Sequence, residues 1–182
     1  MKPIVINLEH RSDRLEFMTE QARKLQFEFE LMKAIPATDN PFVSNGHYGC
    51  FLSHKSILKR RETMLVFEDD CLLNPNWENL LVDAMSELPE DWDMLYLGGW
   101  KTQVSPYSEH LQIADRVLCT HAYMIRNKFC DVVLDAMSKR INKIDLLFSS
   151  VEGNKFVCNP VIATQVIGYS DIENKVTNND HL

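Results

Sequence analysis

The sequence lacks the features that mark several large classes of protein. Its 182 residues include only 6 Gly and 7 Pro, which excludes a collagen-like or linker-dominated chain, and the 45% hydrophobic content excludes intrinsic disorder. The five cysteines are an odd number at wide spacings without a C-x-x-C, so we expect neither a disulfide framework nor a zinc knuckle. The histidines show neither H-x-x-x-H nor H-E-x-x-H spacing, which argues further against zinc.

Positive charge and long hydrophobic runs are also scarce. The chain has 19 Lys and Arg against 26 Asp and Glu, a net charge of −7, which argues against a nucleic-acid partner. The apolar start of the chain ends at Glu9, too soon for a signal-peptide core or a transmembrane segment. We therefore expect a soluble cytoplasmic protein. A basic run (Lys55, Lys59, Arg60 and Arg61) is interpreted as a solvated helix face, with peripheral contact at the inner membrane face as the alternative.

Strand-like and helix-like segments alternate along the chain. The patterns predict strands at 4–8, 27–34, 64–67, 93–97, 117–125 and 156–166, and helices starting at residue 13 and over 46–62, 77–88 and 129–137. Residues 101–115 are predicted to form a surface excursion or flap. This alternation predicts an α/β fold, a mostly parallel mixed sheet covered by helices, in a single domain over 1–182. In such folds ligands bind outside the carboxyl ends of the strands.

Three carboxylates, Glu68, Asp69 and Asp70, directly follow a predicted buried strand. Crowding their negative charges costs free energy unless a cation neutralises them, and Mg²⁺ or Mn²⁺ prefers carboxylate oxygens. In an extended chain Glu68 and Asp70 point to one side and Asp69 to the other. The sequence therefore predicts a divalent metal site here. The alternative is a solvated acidic turn in which Asp70 or Asn74 caps the next helix.

Two arginines, Arg11 and Arg14, lie where the first strand meets the first helix. A helix N-terminus disfavours cations, so their placement predicts an anion such as a phosphate, received jointly by the arginines and the free helix amides. Pairing of Arg14 with Glu9 or Glu16 on the surface is the alternative.

Four further residues are candidates for the site. Cys50 and His54 share a helix face, but packing explains that spacing better than a nucleophile and its base, while Ser53 and His54 are placed to touch a ligand. Asp145 is a lone carboxylate in an apolar stretch, which suits a general base; a helix N-cap is the alternative. Asp171 is read either as a second candidate base or as part of a turn near a frayed terminus.

Several segments together resemble glycosyltransferase family 25, the lipooligosaccharide galactosyltransferases and their collagen-modifying relatives. The resemblance rests, in chain order, on Ile6-Asn7-Leu8 with Arg11-Ser12-Asp13-Arg14-Leu15, Gly49-Cys50-Phe51-Leu52-Ser53-His54, Val66-Phe67-Glu68-Asp69-Asp70, Asp93-Met94-Leu95-Tyr96-Leu97-Gly98, Ala122-Tyr123-Met124-Ile125 and Ser170-Asp171. The motifs are individually short, but their order and spacing make the set specific. The chain is short for this family, so acceptor-binding segments are expected to be missing.

The resemblance implies a single GT-A (Rossmann-like) domain that transfers a hexose, galactose first of all, from a UDP-sugar with inversion. It implies Mn²⁺ or Mg²⁺ held by Asp70 and Glu68, and a glycan or lipid-linked oligosaccharide acceptor, as in lipopolysaccharide biosynthesis. The resemblance also implies that the donor is bound by Asn7, Arg11, Arg14, Ser53 and Asp69. For the catalytic base that inversion requires, Asp145 is the first candidate and Asp171 is the second.

Two other functions remain open at this point. A Mg²⁺-dependent nucleotidyl or phosphoryl transferase would use the same carboxylates and arginines, although the chain has no P-loop and no second pair of carboxylates. A degenerate domain that binds a nucleotide sugar or glycan without turnover is favoured by the short C-terminus and disfavoured by the intact Glu68-Asp69-Asp70 motif.

Overall fold

A computed structural model describes residues 1–36, 39, 43–172 and 175–177. The helices within these residues are α1 (Ser12–Leu25), α2 (Asn45–Leu58), α3 (Trp77–Ser86), α4 (Asn127–Lys139) and α5 (Ile144–Ser150). The strands are β1 (Ile4–Asn7), β2 (Glu30–Lys33), β3 (Met64–Glu68), β4 (Cys71–Leu73), β5 (Met94–Tyr96), β6 (Trp100–Pro106), β7 (Leu111–Leu118), β8 (Ala122–Ile125), β9 (Lys155–Cys158), β10 (Ala163–Gln165), β11 (Gly168–Ser170) and β12 (Lys175–Thr177).

The central feature is an eight-stranded sheet in the order β2-β1-β3-β8-β5-β9-β7-β6. The pairs β1–β2, β1–β3 and β5–β9 are parallel and the other pairs are antiparallel, so β7 and β8 run against the remaining strands. Two small sheets, β4–β10 and β11–β12, lie beside it. The predicted α/β class, with a mixed sheet whose strands mostly point one way, is confirmed. The prediction of one domain over 1–182 stays a prediction.

The core forms on both faces of the sheet because successive strand residues point to opposite sides. In β3, Met64 and Val66 join one buried cluster while Leu65 and Phe67 join the other. The first cluster includes residues of α2, α4 and α5, and the second includes residues of α1 and α3. Burial on both faces explains why β3 is continuously hydrophobic.

Three predicted segments are wrong. Residues 156–166 are not one strand, because β9 ends at Cys158 and β10 begins at Ala163 in a different sheet. Residues 101–115 do not form a flap: β6 and β7 pair as a long hairpin, and β7 joins the central sheet beside β9. Residues 117–125 are not one strand, because β7 ends at Leu118 and β8 begins at Ala122. Between them Cys119 adopts a positive φ of 71°, which is uncommon for a residue other than Gly, Asn or Asp and is not signalled by the local sequence.

Neither Asp13 nor Asn74 caps the helix that follows it. α1 begins at Ser12 after Arg11, and the side chain of Asp13 pairs with Arg11 instead of capping the helix. α3 begins at Trp77, because Asn74 Oδ1 accepts a hydrogen bond of 2.9 Å from the backbone N–H of Asn76 and so forms a turn before the helix.

Candidate functional site

A cleft of about 430 Å³ opens where β1 and β3 end. Its walls come from the chain after β1, one face of α2, the residues after β7, the start of α5 and residues 170–172. Eight predicted site residues line the cleft: Arg14, Ser53, His54, Glu68, Asp69, Asp70, Asp145 and Asp171. Asn7 and Arg11 are not part of its lining. The structure therefore gathers, in one place, residues that are separated by more than half of the chain.

The three carboxylates at the end of β3 face different partners. Glu68 accepts a 2.6 Å hydrogen bond from the hydroxyl of Thr120 and lies 3.2 Å from His54 Nε2. Asp69 and Asp70 lie in the turn between β3 and β4. Because the chain is not extended there, the predicted alternation of Glu68, Asp69 and Asp70 between two sides does not apply. In this turn both aspartates approach the same guanidinium, that of Arg14.

Arg14 is the cation that the structure places among these carboxylates. Its Nη1 lies 2.6 Å from Asp69 Oδ1 and 3.2 Å from Asp70 Oδ2, while its Nη2 donates a 2.9 Å hydrogen bond to the carbonyl of Tyr169. The alternative pairing with Glu9 or Glu16 is not what the structure shows. One arginine therefore balances part of the negative charge of two aspartates.

The pKa values of the carboxylates reflect this incomplete balance. Burial and the charge of Glu68 raise the pKa of Asp70 to about 7, although Arg14 acts in the opposite direction. Burial also raises the pKa of Asp69 above its ordinary value, against the effect of Arg14. Burial opposes ionisation of Glu68 as well, but the hydrogen bonds from His54 and Thr120 outweigh it and lower its pKa. Asp70 is thus the carboxylate with the least compensation.

Asn7 and Arg11 support the cleft from behind its lining. Asn7 donates a 2.8 Å hydrogen bond to Asp69 Oδ2 and a 3.1 Å hydrogen bond to the carbonyl of Arg11. The Arg11 guanidinium contacts Asp13 at 2.8 Å and also pairs with Asp171. Arg11 and Asn7 therefore fix the positions of two acidic residues that do line the cleft.

The α2 wall contains Cys50, Ser53 and His54. The Ser53 hydroxyl donates a 2.8 Å hydrogen bond to the carbonyl of Gly49 and accepts one of 2.8 Å from the backbone N–H of Ile35. Through these two hydrogen bonds the Ser53 hydroxyl holds the chain after β2 against α2. Burial and the charge of Glu68 raise the pKa of the Cys50 thiol well above its ordinary value, opposite to what an activated nucleophile requires.

Asp145 and Asp171 enter the cleft from different elements. Asp145 lies in the first turn of α5, where Oδ1 accepts a 2.7 Å hydrogen bond from the backbone N–H of Leu146 and Oδ2 lies 3.5 Å from that of Cys119. Asp171 is bound by Arg11 and lies 3.6 Å from His10 Nε2. The segment of Asp171 packs so closely on α2 that a Cβ on Gly46 would lie 2.7 Å from Ile172 Cα.

Sequence reasoning missed three residues that contact the site. Thr120 binds Glu68, Tyr123 binds His54, and Gln165 donates a 3.2 Å hydrogen bond to Asp70 Oδ1. Gln165 reaches Asp70 because β10 pairs with β4, where Gln165 is opposite Cys71. That pairing joins segments almost a hundred residues apart, and nothing in the local sequence signals it.

The fold and the cleft together define an α/β protein with an acidic site at the carboxyl ends of neighbouring parallel strands. The chain belongs to glycosyltransferase family 25, whose family model, described as "Glycosyltransferase family 25 (LPS biosynthesis protein)", matches residues 1–112. The family predicted from the sequence is thereby confirmed.

Individual relatives carry two kinds of name. The chain is 29% identical over 168 residues to procollagen galactosyltransferase 1-B of Xenopus laevis, covering 72% of this chain and 28% of that protein. It is 28% identical over 135 residues to the human inactive glycosyltransferase 25 family member 3, covering 58% of this chain and 22% of that protein. The chain spans about a quarter of the length of the curated relatives it matches.

Two solved glycosyltransferase structures are among those to which this chain is similar. One is a glycosyltransferase involved in the glycosylation of the major capsid of PBCV-1, with a TM-score of 0.47 and 10% identity, covering 86% of this chain and 80% of that chain. Another is the catalytic domain of Drosophila beta1,4galactosyltransferase 7 in complex with xylobiose, with a TM-score of 0.46 and 10% identity, covering 97% and 75%.

Among the described residues, the helices are all too short or too polar to cross a lipid bilayer.

Proposed function

We propose that this chain is a divalent-metal-dependent glycosyltransferase that moves a hexose, galactose in the first instance, from a UDP-sugar to a hydroxyl group of a glycan or lipid-linked oligosaccharide, with inversion. Family membership and the galactosyltransferase names of its relatives support the reaction class. The observation that carries the proposal is the group of Glu68, Asp69 and Asp70 in the cleft, where Arg14 is the cation that Asp69 and Asp70 share.

The carboxylates fit Mn²⁺ or Mg²⁺. Both ions prefer hard oxygen ligands, and Asp70 and Glu68 offer carboxylate oxygens at the cleft wall. The pKa of Asp70, raised to about 7, shows a carboxylate that is short of positive charge, which a metal ion would supply. We assign Asp70 as the principal ligand and Glu68 as the second. When bound, such an ion neutralises a diphosphate leaving group as a Lewis acid.

The neighbouring residues are assigned to the donor. Arg14 pairs with both aspartates and is placed to form an ion pair with a diphosphate bound beside them. Asp69, oriented by Asn7 and Arg14, is placed to accept hydrogen bonds from ribose or donor-sugar hydroxyls. We assign supporting roles to Arg11, which holds Asp171, and to Ser53, which shapes the wall.

Asp145 is our first choice for the base that takes the acceptor hydroxyl proton. Its carboxylate lines the cleft and is held by backbone N–H groups of Leu146 and Cys119, which orient it without neutralising its charge. Asp171 is the second choice, because its carboxylate is already paired with the Arg11 guanidinium.

Titration with uridine nucleotides tests the proposal. The protein is mixed with UDP, UDP-galactose or UDP-glucose, with Mn²⁺ or with EDTA, and thermal stability and UDP release are followed. A ligand at a hundredfold excess over Kd stabilises the native state by about 2.7 kcal/mol. We expect stabilisation only with metal, and slow UDP release from one sugar. No response to any uridine nucleotide would overturn the proposal in favour of a nucleotidyl or phosphoryl transferase.

Replacement of the proposed base gives a second test. Asp145→Asn keeps the size of the side chain but removes its basicity, so we expect donor binding to remain within twofold while transfer falls by about a hundredfold or more. Asp115→Asn is the matched control, because Asp115 is an exposed aspartate on β7. Loss of donor binding in Asp145→Asn would assign this residue to the metal or to the fold instead.

A second candidate function is supported by the names of some relatives. The human protein named above and others of the same kind are described as inactive family members. A binding domain without turnover would bind UDP-sugar with metal yet release no UDP, with or without glycan acceptors. The same titration therefore separates the two functions.

A further inference from the structure

Three metal-ligating side chains of different chemistry meet in the wall of the cleft. One ligand atom from each of Cys50, His54 and Glu68 lies within 4.8 Å of the other two. Cys50 and His54 are four residues apart on α2 and therefore share one helix face, while Glu68 comes from the end of β3. Their proximity thus depends on packing of α2 against the sheet.

Two of these side chains are already held in orientation by other residues. His54 is 1% exposed, and its Nδ1 lies 2.8 Å from the hydroxyl of Tyr123, which leaves Nε2 facing Glu68 at 3.2 Å. Glu68 in turn accepts the 2.6 Å hydrogen bond from Thr120. Metal-binding histidines are typically held in this way through their second ring nitrogen, and metal-binding carboxylates through further hydrogen bonds.

The ligand set favours a borderline-soft ion over the hard ions considered above. Thiolate, imidazole and carboxylate are the usual ligands of Zn²⁺, at about 2.3, 2.0 and 2.0 Å, whereas Mn²⁺ and Mg²⁺ favour oxygen. Tetrahedral geometry at these bond lengths separates ligand atoms by roughly 3.3–3.7 Å. The group, with His54 Nε2 and Glu68 already 3.2 Å apart, needs only small side-chain movements to reach it.

We propose that Cys50, His54 and Glu68 form a Zn²⁺ site distinct from the Asp70 site, with Glu68 shared between the two. As the ion binds, the Cys50 S–H bond breaks, a sulfur–zinc bond forms and that proton passes to solvent. The proton of the neutral His54 ring moves from Nε2, which faces Glu68, to Nδ1, which then donates to the Tyr123 hydroxyl, so that Nε2 is free to bind the ion. No oxidation state changes. Because all three residues line the cleft, the fourth coordination position is open to water. Zinc that occupies this site withdraws Glu68 from the hard-metal site, so it competes with Mn²⁺.

The histidine spacing that argued against zinc concerned pairs of histidines. This site instead joins one cysteine and one histidine on a helix to a carboxylate from a strand, so the third ligand is visible only in the fold. The proposal does not depend on the transferase reaction, because it concerns metal binding alone.

Co²⁺ is the spectroscopic probe for this site, because a cobalt–thiolate bond gives a near-ultraviolet charge-transfer band. We expect the EDTA-treated protein to show this band with one equivalent of Co²⁺, and Zn²⁺ to displace it. Cys50→Ser should abolish the band and weaken Zn²⁺ binding at least tenfold. Cys119→Ser is the matched control, since Cys119 is the other cysteine in the cleft lining, and it should keep the band.

Absence of the band in the unmodified protein, or its retention in Cys50→Ser, would overturn the proposal. Unfolding midpoints without metal verify that both serine variants fold. Asp70→Asn separates this proposal from the proposed function: the cobalt–thiolate band should survive in that variant while binding of Mn²⁺ is lost. Loss of the band in Asp70→Asn would show that there is only one metal site and would also overturn the inference.

Discussion

Two charged groups with little solvent exposure lie at opposite ends of strands in the central sheet and are treated differently by the fold. Lys155 begins β9 and is 6% exposed, and its ammonium donates three hydrogen bonds of 2.8–2.9 Å to the carbonyls of Phe148, Ser149 and Val151. Asp70 follows the end of β3, where its protein contacts are Gln165 and Arg14, each at 3.2 Å. Both groups lose hydration. The three N–H groups of Lys155 all donate to carbonyl oxygens, whereas the Asp70 carboxylate has two more distant contacts.

The difference separates a structural charge from a binding one. Burial lowers the pKa of Lys155 to about 8 and raises that of Asp70 to about 7, so each charged form carries a cost. For Lys155 the cost is offset by closing the C-terminal end of α5, where helix carbonyls lack partners within the helix. For Asp70 the compensation is incomplete and the carboxylate faces the cleft, which leaves it available to a cation.

Removing the lysine should give the largest change in stability. Lys155→Met keeps the length of the side chain but leaves three buried carbonyls without donors, so we expect unfolding free energy to fall by about 3 kcal/mol. Urea unfolding measures this loss. Lys139→Met is the control, because Lys139 is exposed and its ion pair within the described part of the chain is the i,i+4 pair with Asp135, so its change should stay within about 0.5 kcal/mol. Equal effects of the two variants would contradict the structural role of Lys155.

Asp70→Asn should change stability in the opposite direction. The amide needs no counter-ion, so without metal at pH 8 we expect the variant to be more stable by roughly 1–3 kcal/mol, since one pKa unit corresponds to about 1.4 kcal/mol and partial exposure reduces the effect. The same change should abolish stabilisation by Mn²⁺. Thermal unfolding with Mn²⁺ and with EDTA measures both effects, and stabilisation by Mn²⁺ equal to that of the unmodified protein would refute the metal assignment.

The contrast between these regions also shows what could be predicted from the sequence. The Glu68-Asp69-Asp70 motif was identifiable because a hydrophobic run ends abruptly in three carboxylates, and β1 and β3 were identifiable because strands buried on both faces are continuously apolar. Lys155 was not identifiable, because its burial depends on the end of α5, which packs beside β7 and leads into β9.

Long-range pairing explains the other omissions. β4 and β10 are three residues each, too short for a periodic pattern, and they exist because they pair with each other. That pairing brings Gln165 to Asp70, and the start of β8 brings Thr120 and Tyr123 to Glu68 and His54. Local sequence thus predicts the residues that carry charge, while the tertiary fold selects the residues that orient them.

The pH dependence of stability offers the finest comparison of the two regions, at most about 1.4 kcal/mol per pH unit for each group. The folded-state pKa of Asp70 is about 7 and its ordinary value is 3.8, so its stabilising contribution is complete below pH 3.8 and is lost as pH rises through 7. The folded-state pKa of Lys155 is about 8 and its ordinary value is 10.5, so its contribution grows as pH rises from 8 to 10.5.

Subtracting the curve of each variant removes the titration of all groups that do not interact with the replaced side chain. Urea unfolding is measured from pH 4 to 10 for the unmodified protein, Asp70→Asn and Lys155→Met. We expect the unmodified protein to lose stability relative to Asp70→Asn up to pH 7, and to gain stability relative to Lys155→Met above pH 8. Mn²⁺ affinity should rise through pH 7, since the metal binds the deprotonated carboxylate. Parallel stability curves for all three proteins would mean that the pKa of neither Asp70 nor Lys155 is shifted as the structure indicates. The distinction between a lysine whose hydrogen bonds are satisfied and an aspartate whose charge is incompletely compensated would then fail.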